Sequence, residues 1–303
     1  MKDKIIIAAK GFCMGAADVV PGVSGGTMAF ILGIYQELIN AIKSFDRTWF
    51  LAILKLDIKT VIGRPHFSLV IPLGVGLFAA LMFFTRVISL PALIVSHPEQ
   101  VYGLFFGLIV GSTIVLLRGM EALRLSECLM ILPGLLLGLV VFNLVPTQTP
   151  EAAWFIFLSG ALAICAMILP GISGSFILLI INKYAYIFNA IGHFKFAVII
   201  PFALGCATGL LLFARLLSWL LERYYRRTIL FISGLLLSSL YVIWPFQERV
   251  YEVVRGKSRM ISSSPVLPTQ ISESVISAGA LLILGIAIVL ILTYMGQKKK
   301  ASA

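Results

Sequence analysis

The stretch PGVSGGTMAFILGIYQELINAI at residues 21–42 returns later in the chain as PGISGSFILLIINKYAYIFNAI at residues 170–191. An offset of 149 residues pairs the two Pro-Gly dipeptides and also pairs Ser24 with Ser173. Further along, an offset of 129 residues pairs Arg86 with Arg215. Duplication of this kind in an apolar chain is typical of polytopic membrane proteins whose functional sites lie between the two repeats.

The composition of the chain is that of an integral membrane protein. Of its 303 residues, 60% are hydrophobic and only 12% are charged, and the mean hydropathy is +1.03. Soluble domains carry about 25% charged residues. The net charge of +11 comes mainly from connections between apolar runs, which suits an anionic lipid surface and predicts no nucleic-acid partner.

Each half of the chain has the same predicted organisation, a broken hairpin followed by three transmembrane helices. The fold class is therefore an all-α polytopic membrane protein with two repeats, at residues 1–150 and 151–303. The first repeat has its hairpin at 5–42 and spans at about 67–90, 101–117 and 128–145. The second has its hairpin at 154–191 and spans at about 197–221, 229–246 and 275–294.

The arms of each hairpin are short for a membrane span. About 16 apolar residues lie on each side of the Pro-Gly dipeptide. At 1.5 Å per residue an arm reaches about 24 Å, which is less than the roughly 30 Å hydrocarbon core. This length favours re-entrant hairpins, whose irregular tips must be shielded by protein or a wet cavity. Two full spans joined by a tight surface turn are the alternative.

A hairpin returns to the side from which it started, so each half crosses the membrane an odd number of times. The two repeats are then inverted relative to each other. Most lysines and arginines of the connections fall on the side of the N-terminus. The positive-inside rule therefore places both termini in the cytoplasm, and the segment 247–274 becomes the largest outer connection.

The two Pro-Gly loops are the strongest candidate for a binding site. The helix that follows each loop begins with unpaired N–H groups and the positive end of its dipole, which together favour anions. The alternative is that the glycines only allow close helix packing. The candidate residues are Ser24, Gly25, Gly26, Thr27, Ser173, Gly174 and Ser175.

Four ionisable residues in or beside apolar runs are further candidates. Arg86 and Arg215 lie within predicted spans, where an ionisable side chain is by default a functional hypothesis, although snorkelling to headgroups is the alternative. Asp18 precedes the first loop and Glu37 follows it. We consider both as coupling residues, with a salt bridge or a wet hairpin mouth as the structural alternatives, and favour Asp18.

The sequence offers no support for a metal site, a cofactor or enzymatic chemistry. The four cysteines and three histidines are scattered, without metal-ligand spacing. No grouping of nucleophile and base and no nucleotide-binding phosphate loop is present. The N-terminus is expected to be retained, because Lys10 interrupts its apolar run after five residues.

The phrase GAADVVPGVSGGT at residues 15–27, the second PGISGS at 170–175 and the pattern of spans resemble the PopT-type polyprenyl-phosphate transporter family. The resemblance covers essentially the whole chain. It implies return of undecaprenyl phosphate from the outer to the cytoplasmic leaflet of the bacterial inner membrane, so that this carrier lipid of cell-wall polymers is reused. The implied partner is thus a polyprenyl-phosphate lipid.

This resemblance suggests roles for the candidate residues. Arg86 would collect the phosphate from the outer leaflet, the two loops would hold it at the midplane, and Arg215 would help to release it inward. Asp18 would carry a proton if transport is coupled. A transporter of a small soluble anion and an intramembrane lipid-phosphate enzyme are the competing hypotheses, and homo-oligomerisation stays open.

Overall fold

The computed structural model describes residues 2–20, 23–88, 93–94, 96–118, 125–144, 147–254, 257–270 and 272–301. Pro21 and Gly22 of the first loop lie outside these residues. Helices make up 79% of the structure, which confirms the mostly helical prediction. The helices are α1 Lys2–Asp18, α2 Gly25–Ile31, α3 Tyr35–Lys43, α4 Arg47–Leu54, α5 Ile58–Gly63, α6 Phe67–Arg86, α7 Pro98–Arg118, α8 Leu125–Cys128, α9 Ile131–Phe142, α10 Ala153–Ile168, α11 Gly174–Ile180, α12 Tyr184–Gly192, α13 Phe196–Arg223, α14 Tyr225–Val242 and α15 Glu273–Ala301.

Four of the described helices are long and apolar enough to cross a membrane, namely α6, α7, α13 and α15. The protein is therefore a multi-pass membrane protein. The span predicted at 128–145 contains the shorter helix α9, whose 12 residues rise only about 18 Å. The span predicted at 229–246 corresponds to α14, an 18-residue helix with many buried residues.

Helix α1 packs along α6, and α10 packs in the same way along α13. A β-carbon at Gly11 would overlap the carbonyl oxygen of Leu73, and one at Gly160 would overlap that of Phe202. These glycines let the two backbones approach closely, as small residues do between membrane helices. Gly11 and Gly160 are related by the offset of 149, and Leu73 and Phe202 by the offset of 129.

Two further helix pairs join the two halves of the chain. Helix α7 packs along α15, and α9 packs along α14. In the first pair Gly103 faces Ala278 and Gly111 faces Ile286, so the two helices run parallel. In each pair one helix comes from residues before 150 and the other from residues after 150.

The second arm of each hairpin is not one helix, as the sequence predicted, but two short helices separated by a break. Helices α11 and α12 meet at 109°. The bends contain Gly33 (φ 68°) and Asn182 (φ 52°), which occupy the left-handed region. Gly and Asn tolerate this region and end helices there. The two residues are related by the offset of 149.

The segment after α14 contains a two-stranded antiparallel sheet, which the all-α prediction did not include. Strands β1 (Gln247–Val254) and β2 (Lys257–Pro265) pair from Gln247 with Pro265 to Val254 with Lys257. Their register is interrupted by an irregularity between Val250 and Tyr251. Valine and tyrosine side chains favour strands, and a connection outside the membrane can form a hairpin without satisfying the helical requirement of a span.

Candidate functional site

The two Pro-Gly loops, far apart in sequence, lie in contact. The fully buried hydroxyl oxygen of Thr27 accepts a hydrogen bond from the backbone N–H of Gly171 at 2.9 Å. The buried hydroxyl of Tyr35 donates to the carbonyl oxygen of Ile168 at 3.1 Å. Residues from both copies of the repeated stretch therefore form one cluster inside the protein.

Gly26 allows this contact. A β-carbon at this position would lie 2.7 Å from the carbonyl oxygen of Met167 and 2.8 Å from that of Ile168. Real β-carbons do not approach a backbone atom so closely, so the N-terminal turn of α2 can lie against the end of α10 only with glycine here. The packing alternative for this glycine is thus supported, although it does not exclude a role in binding.

Groups of the protein itself already occupy the start of α2. The half-buried Asp18 accepts a hydrogen bond from the N–H of Gly25 at 2.6 Å through Oδ1. The hydroxyl oxygen of Ser24 accepts from the N–H of Thr27 at 3.2 Å and lies 3.0 Å from the Thr27 hydroxyl. A carboxylate and a hydroxyl are the groups that stabilise a helix N-terminus. Asp18 thus takes the position of an anion at the first loop.

The second loop lacks such an occupant. Met167 stands at the position of Asp18, and Ser173 makes no capping hydrogen bond to α11. The Ser173 and Ser175 hydroxyls lie 2.7 Å apart, with Ser175 exposed. Gly174 is buried against the carbonyl oxygen of Ala163. The polar groups available to a ligand are therefore concentrated at the second loop.

The two arginines lie outside the loop cluster. Arg86 ends α6 and Arg215 lies within α13, and both side chains are exposed on the surface of the protein. Neither guanidinium forms a hydrogen bond or ion pair with another residue in the described part of the chain. Glu37 is also exposed, on α3, and is not part of the cluster.

A polar link between the first hairpin and α13 was not predicted from the sequence. The Lys43 ammonium group donates to the Ser218 hydroxyl and to the Glu222 carboxylate, both at 3.0 Å. The Ser218 hydroxyl in turn donates to Glu222 at 2.8 Å. The sequence contained one indication that Lys43 lies near the hairpin, because Lys43 directly follows the Ala-Ile dipeptide at 41–42 that both copies of the repeat share.

A second missed residue is the buried Lys183, which follows the bend at Asn182. Its ammonium group donates to the carbonyl oxygen of Thr149 at 2.8 Å and lies over the rings of Phe155 and Tyr186. Only 2% of the residue is exposed. A carbonyl and two aromatic faces partly compensate the cost of burying a cation. These contacts hold the connection between the two halves against the second hairpin.

Among the described residues, no group of three or more histidine, cysteine, aspartate or glutamate side chains could hold a metal ion. The described residues include a cavity of about 480 Å³ between the start of α7 and residues 266–275. Glu99 and Gln247 contribute polar groups to its lining. The cavity contains none of the residues that the sequence predicted for the site.

Residues 14–261 match the VCA0040-like family model, which is described as undecaprenyl phosphate translocase-like. A polyprenyl-phosphate transporter of Vibrio cholerae is 39% identical over 263 residues, which cover 87% of this chain and 84% of the relative. A polyprenyl-phosphate transporter of Staphylococcus aureus is 29% identical over 256 residues, which cover 78% and 84%. No solved structure matches the chain.

These findings confirm the resemblance drawn from the two Pro-Gly motifs. The relatives are named as transporters and not as enzymes, in agreement with the expectation of a non-enzymatic protein. The matched region contains both loops and both arginines. The chain therefore belongs to the undecaprenyl phosphate translocase-like family.

Proposed function

We propose that this protein returns undecaprenyl phosphate, or a similar polyprenyl phosphate, from the outer to the cytoplasmic leaflet of a bacterial inner membrane. The contact between Thr27 and Gly171 is the observation that carries the proposal, because it brings the two glycine-rich loops together inside an apolar protein. The names of the two relatives supply the class of substrate. Cell-wall synthesis would then reuse the carrier lipid.

Inverted repeats are part of this proposal. The pairs α1–α6 and α10–α13, with their glycine contacts at corresponding positions, support a repeat that extends beyond the motifs. The matching left-handed residues Gly33 and Asn182 support it independently. An odd number of crossings in each half then gives opposite orientations. Both termini would lie in the cytoplasm, in accordance with the distribution of basic residues.

The second loop is the better candidate for the phosphate. Asp18 already fills the position of an anion at the first loop, whereas Ser173, Gly174 and Ser175 have no carboxylate beside them in the corresponding position. Ser24, Gly25, Gly26 and Thr27 would form the opposite wall of the site. The polyprenyl tail would stay in lipid throughout, which a broad apolar surface permits.

Arg86 and Arg215 would attract the phosphate at the two ends of its path. Guanidinium groups match the geometry of phosphate oxygens, and both side chains are exposed and without a partner in the described part of the chain. Movement of one repeat against the other would alternate access. The exposed positions suit an encounter with a lipid headgroup, whereas a soluble anion would require a closed aqueous path.

The arginine relay is tested with purified protein in liposomes that contain labelled undecaprenyl phosphate in one leaflet. We expect Arg86→Ala with Arg215→Ala to slow translocation at least tenfold, and Arg→Lys at both positions to slow it less, because the charge remains. Arg118→Ala, in the last turn of α7, is the control for loss of a basic residue at a helix end. Translocation at the original rate in the double alanine variant would reject the relay.

Asp18 is the proposed coupling residue, since a proton on its carboxylate would weaken the hydrogen bond from Gly25 and release the start of α2. We expect Asp18→Asn to flatten the dependence of translocation on pH, with Glu37→Gln as the matched control. The measurement is the translocation rate in liposomes across a series of imposed pH differences. A pH profile like that of the original protein would remove Asp18 from the mechanism.

A further inference from the structure

The segment 44–66 lies between α3 and α6 and contains the polar insertion by which the first half exceeds the second. It forms the two short helices α4 and α5, which pack against each other. The indole N–H of Trp49 donates to the carbonyl oxygen of Val61 at 3.0 Å. The Phe45 ring contacts the rings of Trp49 and Phe67, at centroid distances of 5.0 and 6.1 Å. The segment is therefore a folded unit attached to the first turn of a spanning helix.

This unit exposes large apolar side chains that do not belong to a spanning helix. Leu54 is 80% exposed and Leu56 is 83% exposed, although neither lies on a helix long enough to cross a membrane. A large aliphatic side chain left in water forgoes the favourable free energy of burial. The exposed apolar side chains of the unit are Phe50, Leu51, Ile53, Leu54, Leu56, Ile58 and Ile62.

The two acidic side chains of the unit cap its own helices. Asp46 caps α4 through the N–H of Trp49 and forms an ion pair with Arg64, whose guanidinium holds the pKa of the Asp46 carboxyl well below its usual value. Asp57 caps α5 through the N–H of Thr60. The charge of Asp46 is thus balanced by Arg64 within the unit. Asp57 keeps its charge, and the three remaining basic side chains, Arg47, Lys55 and Lys59, outnumber it.

Three basic side chains of the unit remain available for contact with an anionic surface. Arg47, Lys55 and Lys59 are exposed and form no ion pair with another described residue. Lys55 lies between the exposed Leu54 and Leu56. Long basic side chains can extend from an apolar surface to headgroup phosphates. Exposed apolar groups together with lysine and arginine are typical of segments that lie in a membrane interface.

We propose that the α4–α5 unit binds the anionic surface of the leaflet on the side of the chain termini, with Leu54, Leu56 and Ile58 among the acyl chains. Its lysines contact the phosphates of anionic lipids. Two features favour lipid over a protein partner. The unit is continuous with α6, which enters the membrane at Phe67, and its free charges are complementary to anionic headgroups.

The first test measures depth in the full-length protein, assembled in nanodiscs after the four cysteines are replaced. A spin label is attached to Leu54→Cys or Leu56→Cys, and its accessibility to oxygen and to a water-soluble nickel chelate is compared. Val75→Cys on α6 is the lipid-exposed reference, and Glu248→Cys on β1 is the aqueous reference. We expect both labels to lie about 5–10 Å below the phosphates. Accessibility to nickel equal to that at Glu248→Cys would overturn the proposal.

The second test concerns charge. Discs of phosphatidylcholine alone are compared with discs that contain phosphatidylglycerol. We expect the Leu54→Cys label to lie deeper in the anionic discs, and Lys55→Gln with Lys59→Gln to abolish that difference. Lys4→Gln is the control for loss of a lysine elsewhere on the same side. The same depth in both lipids would reject the contact with anionic lipid. Neither measurement depends on translocation, so the proposed function can fail separately.

Discussion

Thr27 shows how much of the loop contact depends on one side chain. Its hydroxyl oxygen receives the N–H of Gly171 and lies within hydrogen-bond distance of the Ser24 hydroxyl, and the residue is fully buried. A buried N–H that loses its acceptor is costly, because no water replaces it. The contact between the two halves is therefore sensitive to loss of this oxygen.

We expect Thr27→Val, which keeps the shape but removes the oxygen, to lower the free energy of unfolding by about 1–3 kcal/mol. Thr27→Ser keeps the oxygen and removes one methyl group, so its loss should be nearer 0.8 kcal/mol. Thermal unfolding of the purified variants in detergent shows which of the two substitutions lowers the stability more. Equal unfolding temperatures for the two variants would show that the bond to Gly171 contributes little.

At this scale the repeat aligned the residues of the two loops but did not predict the differences between the loops. Ser24 and Ser173 are aligned by the repeat, yet only Ser24 caps its helix. Asp18 was a candidate for proton transfer, but its hydrogen bond to Gly25 could not be predicted, because it depends on how the chain turns after α1. Tyr35 was visible as a repeated tyrosine, without any indication that Ile168 would be its partner.

The bends in the second hairpin arms belong to the scale of the helices. The N–H of Ile34 donates to the carbonyl oxygen of Ala29 at 3.0 Å, and that of Lys183 donates to Leu178 at 2.8 Å. Both arms thus end their first helix with the same hydrogen-bond pattern, which requires a left-handed residue. Gly33 and Asn182 supply it.

We expect Gly33→Ala to lower stability by about 1–2 kcal/mol through backbone strain alone, because nothing lies within 4 Å of the added β-carbon. Asn182→Gly should be neutral or slightly stabilising, and Asn182→Ala destabilising. Gly74→Ala, in the middle of α6 and also with free space around it, is the control and should raise stability. Unfolding midpoints in detergent give the comparison. Destabilisation by Gly74→Ala of the same size would contradict the explanation.

The lengths of the long helices were easier to predict than the bends. The apolar runs near 67–90, 101–117, 197–221 and 275–294 each coincide with a described helix of span length, although three of these helices extend beyond the run. Hydropathy alone is sufficient to find such helices. The bends were missed because one glycine or asparagine in an apolar run is compatible with a continuous helix. The strands β1 and β2 were missed because their pairing depends on a partner segment and not on composition.

At the scale of the whole molecule, the Lys43–Ser218–Glu222 link joins the first hairpin to the second repeat. By the repeat offsets, Lys43 corresponds to Gly192 and Glu222 to Leu93, so the same charged pair cannot form in the other half. If one repeat moves against the other during translocation, α3 and α13 must separate at this point.

We expect a short thiol cross-linker between Lys43→Cys and Glu222→Cys, in a protein without other cysteines, to block translocation of labelled undecaprenyl phosphate. A reducible linker should restore it on addition of a reductant. The two single-cysteine variants treated with the same reagent are the controls. Full translocation by the cross-linked protein would mean that α3 and α13 stay together throughout the cycle.

The duplication could be predicted from the sequence, and with it the meeting of the two loops, because a repeat places its copies about a common axis. The packing of helices from one half against helices from the other half could not be predicted. It depends on which glycine-rich faces are complementary, as in α7 with α15 and α9 with α14. Helix faces of nearly uniform hydrophobicity carry little sequence information about their partners.

This packing between the halves has a consequence for how either half could exist by itself. Neither half could cover its own glycine-lined grooves, since α7 needs α15 and α14 needs α9. A product of half this length would leave these grooves uncovered unless two copies of it associated. Fusion of two such copies would place both partners of each helix pair in one polypeptide, so that neither pair depends on association.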